Sequence, residues 1–230
     1  MDNKKFEKLN IPSHIAFIMD GNRRWAKKRG LYKLLGHKRG AKALKDIVKV
    51  LLDLKQIKYA SFFGFSTENW NREKKEVDYL FDIAYNMLVE NEAELIKDNI
   101  KFSVMGDVSP LPENLRNLIL KVQDETKDNS ALCLYIGINY GGRDDIVQAV
   151  KKLDHDQISV ENIKKNLYCP YDIDLLIRTS GEQRVSNFML YQMAYSEFYF
   201  AKCDWPDFDK KQLYKAIKSF SKRHRRFGGK

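Results

Sequence analysis

Ile15-Ala16-Phe17-Ile18-Met19-Asp20-Gly21-Asn22 runs five apolar residues straight into a polar turn. A short apolar run bounded in this way reads as a strand buried on both faces, the kind found in parallel sheets. The turn that ends it leaves a carboxylate and a glycine at the strand's carboxyl end. The pattern recurs along the chain. Residues 59–65, 101–105, 131–138, 174–177 and 197–200 read as five further strands. Between them, apolar positions return at helical spacing over residues 41–55, 76–97, 112–127, 143–153 and 210–225. Leu44, Ile47, Val48, Leu51 and Leu52 mark the first of these faces, and Pro112 opens the third helix in the position proline favours. Strands alternating with helices predict an α/β fold: a single domain with a mainly parallel six-stranded sheet flanked by helices and right-handed crossovers. Residues 11–230 are expected to form that domain, after a flexible N-terminus over residues 1–10.

Composition narrows the chemistry. With 43% hydrophobic and 12% aromatic residues among 230, the chain has ample material for a core. Its formal net charge of +10 attracts anions, which leaves nucleic acid, an anionic membrane face or a phosphorylated small molecule as partners. Cys133, Cys169 and Cys203 are widely spaced with no C-x-x-C pair, which suits a reducing compartment and argues against a disulfide framework or a zinc site. The first ten residues are polar and no apolar run is long enough to span a bilayer, so a cytoplasmic protein is expected.

In parallel sheets ligands bind beyond the carboxyl ends of the strands. Four of those ends here carry chemically capable clusters: Asp20-Gly21-Asn22, Ser66-Thr67-Glu68-Asn69-Trp70, Asn139-Tyr140-Gly141-Gly142-Arg143 and Arg178-Thr179-Ser180-Gly181-Glu182. The opposite ends carry none comparable. Arg23, Arg24, Lys27, Lys28, Lys33, His37, Lys38 and Arg39 follow the first cluster and would hold a diphosphate. Asp20 would repel that anion unless a hard cation such as Mg2+ lay between them. Taken alone, Asp20 reads equally well as a helix cap with solvated bases after it. Arg178 and Arg184, with Ser186 and Asn187, make a second anion site and suggest two anionic substrates. Walker, dinucleotide and G-x-S-x-G motifs are missing, and the four histidines lack metal-ligand spacing.

Met19-Asp20-Gly21-Asn22-Arg23-Arg24-Trp25-Ala26, Gly36-His37, residues 65–72, residues 139–143, residues 176–182 and Trp205-Pro206-Asp207-Phe208 together resemble the motifs of cis-prenyltransferases, from about residue 11 to 229. The resemblance is greatest to the undecaprenyl diphosphate synthases. It implies a homodimer with an apolar tunnel opening at the carboxyl ends of the strands, and a Mg2+-dependent condensation of isopentenyl diphosphate with an allylic diphosphate. It further implies Asp20 and Asn69 as catalytic residues and Asp20 with Glu197 as metal ligands. Substrate contacts are implied at Gly21, Asn22, Arg23, Arg24, Trp25, Lys33, His37, Ser66, Thr67, Glu68, Trp70, Arg72, Glu76, Arg178, Arg184, Val185 and Ser186. Asn69 is expected to position rather than titrate, because an amide is not a base near neutral pH. Arg226, Phe227 and Gly228 would support the site across the dimer, and the product's lipid character implies peripheral contact with a membrane.

Phe62, Gly64, Leu80, Ala84, Leu88, Leu132 and Ile138 are candidates for the tunnel wall, although core and tunnel positions look alike in sequence. Lys33 stands where many members have arginine, Gln183 where some have histidine, and Ile138 is bulkier than its counterpart in several. Two rival readings exist. The basic run at residues 222–226 could bind RNA, but no RNA-binding motif accompanies it. A non-catalytic partner subunit is disfavoured by the presence of Asp20, Asn69, Arg178, Arg184 and Glu197 together.

Overall fold

The structure, a computed structural model, describes residues 6–223. Six strands, β1 (His14–Ile18), β2 (Tyr59–Ser66), β3 (Ile100–Met105), β4 (Leu132–Tyr140), β5 (Leu175–Arg178) and β6 (Glu197–Phe200), form one sheet in the order β3-β4-β2-β1-β5-β6. Every pairing is parallel. All five β1 residues are buried, as the unbroken apolar run requires. The seven helices described are α1 (Asn22–Lys28), α2 (Lys33–Asp53), α3 (Lys74–Lys97), α4 (Glu113–Glu125), α5 (Gly142–Lys151), α6 (Val160–Asn166) and α7 (Lys210–Ser221).

Helix α2 begins eight residues before the apolar spacing does, for a steric reason. Its first two turns pack through Gly36 and Gly40 rather than through apolar side chains, and a Cβ on Gly36 would sit 2.0 Å from the Asn22 carbonyl oxygen of α1. Helix α6 buries no residue and so carries no apolar period to read; Ser159 caps it by accepting from the Asn162 N–H.

One sheet face packs on α2, α3, α4 and α7, with Phe17 and Phe62 stacked at 4.6 Å between neighbouring strands. The other face is covered by Phe188, Met189 and Cys169, and Asp145 of α5 ties that layer to Tyr140 and Gln192. Part of the segment expected to be flexible is packed instead: Phe6 is buried edge-on against Tyr214, and the Asn10 N–H donates to Ser221 Oγ. The β2–β4 register slips on either side of Phe65, so the strand is irregular around Gly64 and Phe65, where it borders the cavities.

Candidate active site

The first strand-end cluster is pinned from two distant parts of the chain. The Asp20 carbonyl accepts from Thr179 Oγ1 at 2.6 Å and from the Trp205 N–H at 2.9 Å. Gly21 has φ 101°, and a Cβ there would meet Asp204 Oδ1 at 2.5 Å and Ser180 Oγ at 2.8 Å. Only glycine fits that approach. The Asp20 carboxylate is thereby aimed at two guanidiniums: Arg24 Nη2 donates to Oδ1 at 2.9 Å and Arg178 Nη2 to Oδ2 at 2.8 Å. Arg178, 4% exposed, also donates through Nη1 to the Arg184 carbonyl at 2.6 Å and to Ser186 Oγ at 2.8 Å. Glu182 joins Arg24 to Arg184.

A second carboxylate organises the bases that follow. Glu76, at the start of α3 and 2% exposed, faces Arg72 at 3.1 Å, Lys33 and His37 at 3.6 Å and Arg23 at 3.9 Å. Burial, and next the Arg72 charge, push the His37 imidazole down to about 4, so it is neutral near pH 7. At 3.6 Å its Nε2 is too far from Glu76 for a hydrogen bond, and both this atom and Asn22 Oδ1 are buried without a partner. Unpaired buried polar atoms cost free energy, and of these two only the imidazole nitrogen can donate to an anion, the amide oxygen being an acceptor. Asp204 lies behind Gly21. Burial opposes its ionisation, but hydrogen bonds from Lys28 and Ser180 outweigh that and hold its carboxyl below the usual range.

These groups surround a cleft of about 740 Å³ at the carboxyl edge of the sheet. Of the residues expected in the site, Asp20, Asn22, His37, Ser66, Glu68, Asn69, Arg72, Arg178, Val185 and Ser186 line it. Beneath it an apolar cavity of about 220 Å³ runs between α2, α3 and the sheet, and Met19, Asn22, His37, Gly64 and Leu80 line both spaces. Gly64, Leu80, Ala84, Leu88 and Ile138 line the apolar part as expected, whereas Phe62 and Leu132 do not. Both are fully buried core residues.

Gly21, Arg23, Arg24, Trp25, Lys33, Thr67, Trp70, Glu76 and Arg184 are not on the cleft wall. Several of them hold it in place: Trp25 Nε1 donates to Asp207 Oδ1, and Trp70 packs on Phe65 and Phe81 while donating to Asn139 Oδ1. Asn69 has a local task, its Oδ1 accepting the Ser66 N–H at 3.2 Å. Glu197 requires a correction. It is in register with Leu175, and Leu175 with Ile15, so it sits at the amino end of the sheet, five residues short of Asp20. That separation is roughly 16 Å along the strands, and Glu197 is occupied by Arg223 at 2.5 Å. Within one chain the two carboxylates cannot share an ion. Arg143, from a strand-end cluster, and Asn187, from the second anion site read in the sequence, line the cleft, and Asn187 donates to Glu68 at 3.1 Å; Asp204 completes the site without having been expected in it. Residues 226–228 lie outside the described residues.

The family model of undecaprenyl diphosphate synthase matches residues 18–228. The chain belongs to this prenyltransferase family. It is similar to the isoprenyl transferase of Fusobacterium nucleatum, 47% identical over 96% of this chain and 97% of the relative. It is likewise similar to that of Clostridium tetani, 46% identical over 96% and 90%. Among solved structures, lavandulyl diphosphate synthase from Lavandula x intermedia in complex with dimethylallyl diphosphate superposes with a TM-score of 0.90. It is 37% identical and covers 95% of this chain and 99% of its own. A structure described as a probable undecaprenyl diphosphate synthase from Campylobacter jejuni has a TM-score of 0.81 at 35% identity, covering 96% and 100%. The prenyltransferase has no helix among the described residues long and apolar enough to cross a membrane.

Proposed function

We propose that this prenyltransferase condenses isopentenyl diphosphate repeatedly with an allylic starter, farnesyl diphosphate, to give a Z-polyprenyl diphosphate of the undecaprenyl class. The observation that carries the reading is the shared rim: one wall, formed by Met19, Asn22, His37, Gly64 and Leu80, separates a cleft rich in arginine from an apolar cavity. Such a rim suits a molecule with a diphosphate head and a hydrocarbon tail.

In this reading Asn22, His37 and Arg72 bind the allylic diphosphate, and the Glu76 carboxylate fixes the bases around it. Arg178 and Ser186, braced by the Arg184 carbonyl, bind isopentenyl diphosphate. Asp20 is the residue that would hold Mg2+. A lone carboxylate suits that ion, which is usually bound by one or two protein carboxylates with substrate phosphates completing its shell. Among the described residues no three His, Cys, Asp or Glu side chains form a metal cage. When bound, Mg2+ neutralises charge that develops on the leaving diphosphate. Arg178, on the cleft wall, stabilises that charge without reorganising, and Arg24 supports it by holding Asp20 Oδ1. Both Asp20 oxygens accept from guanidiniums, so a diphosphate oxygen is the acceptor assigned to the proton lost from isopentenyl diphosphate. Asn69 positions the loop between the two substrates. A homodimer belongs to the same reading, supported by β6, an edge strand among the described residues, where Phe198 and Phe200 stack half-buried at 6.1 Å. So does peripheral contact with the membrane that receives the product.

The test is incubation of the protein with farnesyl diphosphate, labelled isopentenyl diphosphate and Mg2+, followed by separation of extracted lipids by length. A Mg2+-dependent ladder that Asp20→Ala abolishes is expected; absence of product with every allylic starter would reject the reading.

A further inference from the structure

The apolar cavity ends at a charged clasp. Helices α2 and α3 both begin at the rim, with His37 and Leu80, and run away from it along the cavity. Near its far end Glu94 reaches from α3 to α2, accepting from Lys45 Nζ at 2.8 Å and from Lys49 Nζ at 2.7 Å. The two lysines are one helical turn apart and share a helix face, so a single carboxylate takes both. All three side chains line the cavity. From the rim to the clasp is twelve residues of α2 and fourteen of α3, roughly 18 to 21 Å at the helical rise.

The volume makes the clasp matter. At about 220 Å³ the cavity is only somewhat larger than the roughly 150 Å³ space that accommodates benzene. A long prenyl chain exceeds it several times over. New units are added at the diphosphate end, so the oldest end of the chain advances towards the clasp, and further growth must spread α2 from α3. We propose that Glu94, Lys45 and Lys49 determine product length by resisting that separation. This rests on the prenyl-transfer reading above. The hydrogen bonds from Lys45 and Lys49 pull the Glu94 carboxyl down to about 2, so the clasp is ionised at any ordinary assay pH. Its lysines are 38% and 53% exposed, and such pairs are weak and screened by salt. The clasp therefore biases length and does not block growth.

The experiment compares the length-resolved ladders of the wild type, Glu94→Gln, Lys45→Gln/Lys49→Gln and the charge exchange Glu94→Lys/Lys45→Glu/Lys49→Glu, at low and high salt. Both neutralised variants are expected to favour longer products, with the ratio of long to short rising roughly fivefold, the size an exposed ion pair supports. The exchange should return the ladder towards wild type. Added salt should lengthen wild-type products and leave those of Glu94→Gln unchanged. Addition of the first unit should proceed at the wild-type rate in all four, because the clasp is remote from the cleft. Identical ladders from wild type and both neutralised variants at both salts would overturn the proposal while leaving prenyl transfer intact. A wild type that incorporates no label would overturn prenyl transfer and the clasp with it.

Discussion

Replacing Arg178 with lysine tests how the cleft is organised, because it keeps the charge and removes the fork. The guanidinium spans three acceptors, Asp20 Oδ2, the Arg184 carbonyl and Ser186 Oγ, at 2.6 to 2.8 Å from a site only 4% exposed. An ammonium at the end of a flexible stem is a point charge and cannot reach both sides of that fork at once. One or two charge-assisted hydrogen bonds are lost, each contributing about 1.5 to 3 kcal/mol. Because the same group is assigned to the diphosphate, a transition-state loss of about 2 to 4 kcal/mol is expected. That corresponds to a fall in kcat/KM of roughly thirty- to a thousand-fold. The assay is initial-rate incorporation of labelled isopentenyl diphosphate, varied against saturating allylic substrate and then the reverse. The loss should fall on the isopentenyl side, with the allylic KM within a few-fold of wild type. Asp20→Asn combined with Arg178→Lys should cost less than the sum of the two, since both remove the same contact. A kcat/KM within threefold of wild type, or strict additivity in the double variant, would refute the reasoning.

Three further outcomes follow from the geometry. His14 is buried and hydrogen-bonded to Ser61 and the Asp172 carbonyl, and burial lowers its imidazole to about 4. The unfolded chain therefore binds a proton between that value and 6.5 that the folded chain refuses. This should remove about 2 kcal/mol of stability between pH 7 and pH 5, and urea midpoints of His14→Gln should lack that part of the slope. Gly21→Ala forces a side chain into a positive-φ position and against Asp204, so a loss of at least about 2 kcal/mol is expected in the same denaturation experiment, together with lost activity. Ile138→Ala enlarges the apolar cavity beside Phe65 and should shift products to greater length; an unchanged ladder would count against Ile138 as part of the tunnel wall.

Strand ends were legible because strands buried on both faces leave apolar runs, and each run here stops at a turn of a different chemical kind. That pattern alone placed Asp20, Ser66 and Arg178 on one edge of the sheet. The limits have equally physical causes. Phe62 and Leu132 read as tunnel candidates because a core wall and a ligand wall are made of the same side chains, and only the shape of the space tells them apart. Glu197 has the right chemistry for a cation, but its height on the sheet depends on the β5–β6 register, which residue types do not encode. Glu76 reads as an ordinary acidic residue in the first turn of a helix until folding brings Lys33 and His37 against it from another helix. Asp204 sits in an irregular segment with no periodicity; its role becomes visible only through the space that Gly21 leaves open.

The two hydrogen bonds that hold the Asp20 carbonyl also have a temporal meaning. Asp20 is made well before its partners: Thr179 follows it by 159 positions and Trp205 comes later still. A chain emerging from the ribosome can pair β1 with β2, and β2 with β4, long before either partner exists. The groove that would receive a diphosphate therefore cannot take its final shape until the chain has been made through Trp205. The nascent protein cannot engage its substrates early, and a chain cut short before Trp205 should fold much of its sheet yet be catalytically silent.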